Sequence, residues 1–273
     1  MDPILLLGLM IFGLIAGIMG ALFGLGGGII LVPVLTIVYD LPPAEAAAIS
    51  LIGIIATSVG AASFFVENRV SNIRLGLFLE IATALGAICG AMLAVFIDGI
   101  YVSLIFVSIM IYSAIRMFLS PERRVAADEN GEFVYHDEKE GCDIRYDVDN
   151  RVTGSIGSYF AGLASSMTGI GGGAIKVPLM NLHMHVPMKA AAATSSYMIG
   201  ITAFSGAIVY FLSGQFTQSL LEYAAAISVF AFLGAVIGSR AAMRTKNAGL
   251  QRYFSIFMFF VAALVLLNIG GVI

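Results

Sequence analysis

The sequence predicts an all-α polytopic membrane protein made of two inverted repeats, each a glycine-broken re-entrant helical hairpin followed by three transmembrane helices. Three observations carry that prediction. The 273 residues are 59% hydrophobic and 11% charged, with a mean hydropathy of +0.98, too apolar for a soluble domain of this length. A glycine-rich string occurs twice, as Gly24-Leu-Gly-Gly-Gly-Ile-Ile-Leu-Val-Pro33 and Gly169-Ile-Gly-Gly-Gly-Ala-Ile-Lys-Val-Pro178, at a constant offset of 145 residues. The basic residues gather on one face under only one of the two topologies considered.

The first apolar stretch, 4–38, would be roughly 50 Å long as one helix, well beyond a hydrocarbon core of about 30 Å. It must break or fold back at its glycines. It has no basic flank and resembles the interior copy after Arg151, so it reads as mature structure rather than a signal peptide. Crossings of about 20 residues follow at 44–66, 74–97 and 101–119. Ten of the seventeen carboxylates then fall between Ser120 and Asn150. There Glu132–His136 and Asp143–Asp147 flank a Gly141 turn and predict a small β-hairpin, in a segment that reads either as a solvated linker or as a docking or regulatory element. A second broken stretch, 153–182, precedes crossings at 187–212, 218–242 and 250–272. The resulting division is a first repeat over 1–119, an acidic linker over 120–152 and a second repeat over 153–273.

Charge selects between hairpins and simple crossings. If both broken stretches cross, eight basic residues from Arg69 to Arg151 face five from Lys189 to Arg252, with no useful bias. If both are re-entrant, all thirteen share one side, and only Lys176 stays inside a hairpin. Three crossings per half then invert the second half relative to the first. The linker becomes cytoplasmic, both termini lie outside, and a multi-pass protein of the plasma membrane is expected.

Likeness between the halves extends past the glycines. Pro42, Ala46–Ala48, Ser50 and Thr57 match Pro187, Ala191–Ala193, Ser195 and Thr202 at the same offset. Gly86 and Gly90 correspond to Gly234 and Gly238 after a small shift, and both pairs read as small-residue helix contacts.

Irregular backbone in lipid is tolerated where it lines a cavity or is buried in protein. Gly24, Gly26, Gly27 and Gly28, with Gly169, Gly171, Gly172 and Gly173, therefore mark where backbone could meet a solute. Helices restarting at Ile29 and Ala174 would present N–H groups and the positive end of the helix dipole, which suit an anion. The competing reading is that the glycines serve only tight packing. Lys176 is either the deep cation of this site or a lysine snorkelling to the interface. Ser50, Thr194, Ser195 and Ser196 are hydroxyl donors on the helices that follow, or helix-to-helix bonds. Glu80 suggests proton coupling or an interfacial carboxylate beside basic neighbours. His183 and His185 lack further ligands at metal spacing, Cys89 and Cys142 give no disulfide framework, and the net charge of −3 without a basic patch excludes nucleic acid. No catalytic set, metal or cofactor is called for; Ala203-Phe-Ser-Gly206 lacks a deep histidine to serve as its base.

The doubled Gly-x-Gly-Gly-Gly-x-x-x-Val-Pro string, followed in each half by a proline and an Ala-Ala-Ala-x-Ser stretch, resembles the sulfite exporter TauE/SafE family of permeases. The resemblance implies a small-anion permease, with sulfite, sulfonates and related organic acids among the substrates. Carried over by position, its matching residues are Gly24, Gly26, Gly27, Gly28, Pro33, Ser50, Gly169, Gly171, Gly172, Gly173, Pro178, Thr194 and Ser195. The chain departs from it in Ile49 opposite Thr194, in having no tryptophan near Ile73, and in a longer acidic insert. The expectation is transport of a small anion, a sulfur oxyanion or organosulfonate, by alternating access at a midplane site. A gated anion channel and a membrane scaffold or sensor acting through the linker are the alternatives. A coupling ion, H+ or Na+, and a homodimer are left open.

Overall fold

A computed structural model describes residues 3–93, 99–119, 131–137, 139–169, 171–212 and 218–269. Of the residues read from sequence, Glu122, Arg123, Arg124, Asp128, Glu129, Glu138 and Ile170 lie outside that set. The first half comprises α1 (Pro3–Phe23), α2 (Gly28–Ile37), α3 (Pro43–Glu67), α4 (Ile73–Leu93) and α5 (Gly99–Leu119). Strands β1 (Phe133–Asp137) and β2 (Cys142–Tyr146) pair antiparallel. Then follow α6 (Arg151–Thr168), α7 (Gly173–Pro178) running into a π-helical turn at Leu179–His183, α8 (Met188–Leu212), α9 (Gln218–Met243) and α10 (Asn247–Ile269).

Six helices carry apolar runs long enough to cross a bilayer: Leu5–Phe23, Ala44–Glu67, Ile73–Leu93, Met188–Leu212, Leu220–Met243 and Asn247–Leu267. Large apolar side chains such as Leu7, Ile81, Phe211 and Val229 point outward on them, as lipid-facing surfaces require. The protein is an all-α polytopic membrane protein.

Both broken stretches fold back on themselves. The Tyr39 hydroxyl, just beyond α2, donates to the Leu5 carbonyl near the start of α1 at 2.8 Å, while Gly27 at the turn rests on the Ala16 backbone. In the second copy the Asn150 amide donates to the His183 carbonyl at 3.1 Å, Thr153 Oγ1 lies 2.9 Å from His183 Nε2, and Gly172 sits beside the Ala161 carbonyl. Each stretch therefore enters and leaves at one end of the bundle.

The halves interlock reciprocally. A Cβ on Gly86 or Gly90 of α4 would come within 2.0 or 2.3 Å of the Tyr159 and Leu163 carbonyl oxygens on α6. On Gly234 or Gly238 of α9 it would come within 2.2 Å of the Leu14 and Ile18 oxygens on α1. Tyr159 and Leu163 are the equivalents of Leu14 and Ile18 at the sequence offset. The small-residue contacts read from sequence thus join opposite halves, where missing side chains let backbones touch. Equivalent helices α3 and α8 run antiparallel: Ser58 donates to the Ser196 carbonyl at 2.6 Å, and Leu51 lies against Gly206.

The β-hairpin is one residue out from its expected position on both strands. Phe133 and Tyr146 stack, Tyr135 packs edge-on to Tyr146, and Asp137 is drawn inward. Asp137 accepts from Lys189 Nζ at 2.7 Å, and Lys189 also donates to the Met243 carbonyl at 3.1 Å. Asn247 donates to the Tyr135 hydroxyl at 2.9 Å and Asn72 to the Tyr146 hydroxyl at 3.1 Å. Glu132 pairs with Arg74 and Arg151. Burial pushes the Tyr146 phenol up to about 12. Through these bonds the hairpin packs on the end of the bundle where α4, α6, α8 and α10 begin.

Candidate functional site

Left-handed backbone explains the glycines at the turns. Gly24, Gly26 and Gly27 have φ of 70, 78 and 84°, and Gly169 and Gly171 have 66 and 89°, a region that costs other residues heavily. The two turns then meet. Side chains on Gly171 or Gly173 would strike the Leu25 and Gly24 carbonyl oxygens at 3.0 and 2.2 Å. Ile54 and Ile199, halfway along α3 and α8, are fully buried against Gly26 and Gly171. The helices restart at Gly28 and Gly173, one residue before the expected positions. In α2 the intrahelical bonds begin with Ile30 donating to Gly27, so the N–H groups just before it head the helix without helical acceptors.

The hydroxyls are arranged reciprocally too. Ser50 Oγ donates to the Gly169 carbonyl at 2.9 Å, and its equivalent Ser195 Oγ donates to the Gly24 carbonyl at 2.7 Å. Each satisfies a carbonyl at the end of the other half's long hairpin helix. Because α3 and α8 start at Pro43 and Met188, these serines lie two turns in rather than at the helix start. Thr194 is not brought to the turns. Its Oγ1 accepts the Asn72 N–H at 2.9 Å, and its methyl lies by Gly76 at the start of α4. The Ser196 hydroxyl is buried without a hydrogen-bond partner, as are those of Ser158 and Ser166. Pro33 lies inside α2, and Pro178 lies where α7 widens into its π-helical turn, consistent with a ring that lacks an N–H donor.

Lys176 is 1% exposed and does not snorkel. Its Nζ donates to Thr202 Oγ1 at 2.7 Å and to Glu80 Oε2 at 3.2 Å, and Thr202 donates to Glu80 Oε1 at 2.6 Å. Its Cε lies 3.1 Å from where a Cβ on Gly172 would stand, at the edge of the second turn. Glu80 is 3% exposed, so its interfacial reading fails as well. Sequence reasoning weighed Lys176 and Glu80 separately and left out Thr202 as a site residue. The available signal was three polar groups in apolar helices, but only the packing of α4 against α6 and α8 brings residues so far apart in sequence together. The first half carries Leu31 and Thr57 at the equivalent places, with Ser228 opposite Glu80 in the register of the glycine pairs. His183 and His185 brace the open end of the second hairpin, His185 through Asp149 at 2.7 Å.

Apolar helices, two folded-back hairpins and irregular backbone buried between them define a polytopic helical membrane protein of the transporter class. The family model described as sulfite exporter TauE/SafE matches residues 9–265, and the chain belongs to that family. It is 29% identical over 249 residues to the probable membrane transporter protein YunE of Bacillus subtilis, covering 88% of this chain and 90% of the relative. A probable membrane transporter protein of Haemophilus influenzae is 29% identical over 227 residues, 81% of this chain and 75% of its own. Sulfite exporter TauE/SafE family protein 5 of Arabidopsis thaliana is 30% identical over 116 residues, 42% of this chain and 26% of its own. No solved structure matches. The protein is a membrane transporter and not an enzyme.

Proposed function

We propose that this transporter carries a small anion of the sulfur-oxyanion or organosulfonate class by alternating access at the level where the two glycine turns meet. The observation that carries the reading is a buried lysine beside paired helix starts: Lys176 flanks the second turn, and both turns abut halfway along α3 and α8. An anion there would take N–H groups from Gly27, Gly28 and Gly171–Gly173 and charge from Lys176, while the Gly26 N–H, donating to the Gly20 carbonyl, holds the first turn closed. Gly24 and Gly169, with Ser195 and Ser50 on their carbonyls, hold the turns in place. Thr194 acts at a distance, by fixing the start of α4.

Burial of both turns favours a carrier that must rearrange over an open pore. Two inverted repeats, 1–119 and 153–273, joined by the linker 120–152, account for the antiparallel run of α3 and α8 and for the reciprocal contacts. We place the linker and its hairpin in the cytoplasm, with both termini outside and the plasma membrane as the site. Arg74, Arg151, Lys189 and Arg244 cluster at the hairpin end, whereas Asp40, Glu45 and Glu222 sit at the other.

Flux of sulfite and thiosulfate into liposomes holding the purified full chain tests the proposal. Saturable flux with counterflow is expected. Flux without counterflow would leave a gated channel, and the absence of flux for either anion, with a folded protein, would refute the anion reading.

A further inference from the structure

We infer that Glu80 is the proton-carrying partner of the transported anion: the Glu80 carboxylate and the anion hold Lys176 in turn, and Glu80 takes up a proton while the anion occupies the lysine. This rests on the anion reading above and adds the coupling ion, one proton per anion.

The argument begins with charge. Lys176 and Glu80 are both buried, and each is the other's ion partner. An anion arriving at Lys176 would leave at least two negative charges sharing one positive charge in a buried site, a costly arrangement. A proton on Glu80 removes one of these negative charges, which neutralises the site for a monovalent anion and leaves a single excess charge for a divalent one such as thiosulfate.

Thr202 supplies the geometry for both forms. Its hydroxyl now accepts from Lys176 and donates to Glu80 Oε1 at 2.6 Å, yet it also lies 3.2 Å from the Met198 carbonyl. Once Glu80 is protonated, the new O–H can donate to Thr202, whose own hydrogen turns to Met198. A hydroxyl rotor is suited to that exchange of roles. Both Glu80 oxygens are met by donors, which suits proton exchange and disfavours Na+, a ligand that needs free acceptors.

Other titratable groups around α4 are engaged elsewhere. On α6, Arg151 pairs with Glu132 and Tyr159 faces Cys89 of α4. On α8, Lys189 pairs with Asp137, Tyr210 donates to the Ser166 carbonyl, and Tyr197 lies against Gly76. On α4 itself, Arg74 pairs with Glu132. At the corresponding places stand Leu31 and Thr57 in the first half and Ser228 in the second, so among the described residues one lysine and one carboxylate serve the site. The balance is closed: the proton comes from water on the entry side, rides on a Glu80 oxygen, and returns to water on the exit side with the anion.

Liposomes containing the full chain and a trapped pH dye test this with thiosulfate, whose charge is fixed over the pH range used, and with sulfite. Wild-type protein should acidify the lumen as thiosulfate enters, with a proton-to-anion ratio near one. Glu80→Gln should retain a slower anion flux while that ratio collapses toward zero. Wild-type flux without proton movement, or proton movement surviving in Glu80→Gln, overturns the inference and leaves the anion reading intact. No wild-type flux of either anion overturns the anion reading itself. Should Glu80→Gln fail to fold, Thr202→Val keeps both charges. It removes the hydroxyl that bonds the carboxylate and should shift the pH midpoint of thiosulfate flux, and an unmoved midpoint overturns the inference.

Discussion

The two glycine turns share a backbone and differ in chemistry. In both, a serine two turns into the next long helix donates to the opposite turn's carbonyl, and a glycine rests on the equivalent alanine, Ala16 or Ala161. Yet one turn is flanked by Leu31 and the other by Lys176, tied to Glu80 and Thr202. The contacts made by backbone and hydroxyl groups, which set where the chain bends, recur in both halves. Side chains outside those contacts differ, and the lysine–carboxylate pair lies on one side only. The scaffold is two-fold; the electrostatics are not.

The largest test of this contrast sets Lys176→Met against Leu31→Met. The first strands a buried carboxylate and should cost about 3–5 kcal/mol; the second swaps apolar side chains and should cost less than about 1.5 kcal/mol. Unfolding midpoints in detergent measure both, and adding Glu80→Gln to Lys176→Met should recover much of the loss. Similar losses in the two single variants would mean the asymmetry carries no energy. Gly86→Ala and Gly234→Ala probe the shared scaffold instead. Each forces apart a backbone pair, α4 from α6 or α1 from α9, at about 1–3 kcal/mol, and the two losses should agree. A smaller paired effect, about 1 kcal/mol each, is expected for Ser50→Ala and Ser195→Ala. Smallest is Arg74→Gln at the solvent-exposed Glu132 pair, within about 1 kcal/mol.

How much of this was legible depends on range. The hairpins, the helices and the paired glycine contacts follow from patterns local to each half: apolar length, triple glycines and basic residues collected at one end. The constant offset even foretold which residues would be equivalent. What stayed hidden was every bond between elements far apart in the chain. Nothing near Asp137 announces Lys189, and nothing near Glu80 announces Lys176, because each pairing exists only once α4, α6, α8 and the β-hairpin have packed. Burial then removes the choice between snorkelling and pairing, since a charge without water needs a partner. Thr194 misled for a related reason. It neighbours Ser195 in sequence, but consecutive residues on a helix face different ways, and this one points at the start of α4.

Interlocking of α1 with α9 and of α4 with α6 also ties each hairpin to a helix of the other half. The hairpin α1–α2 is held by α9 from the other end of the chain, and α6–α7 by α4, while α3 packs on α9 and α8 on α4. Packed groups therefore mix the two halves of the sequence: α1, α2, α3 and α9 on one side, and α4, α6, α7 and α8 on the other. The two groups meet at the α3–α8 crossing, where Ile54 and Ile199 lie against both glycine turns, so the centre of the bundle is where the two sets of helices share their contacts.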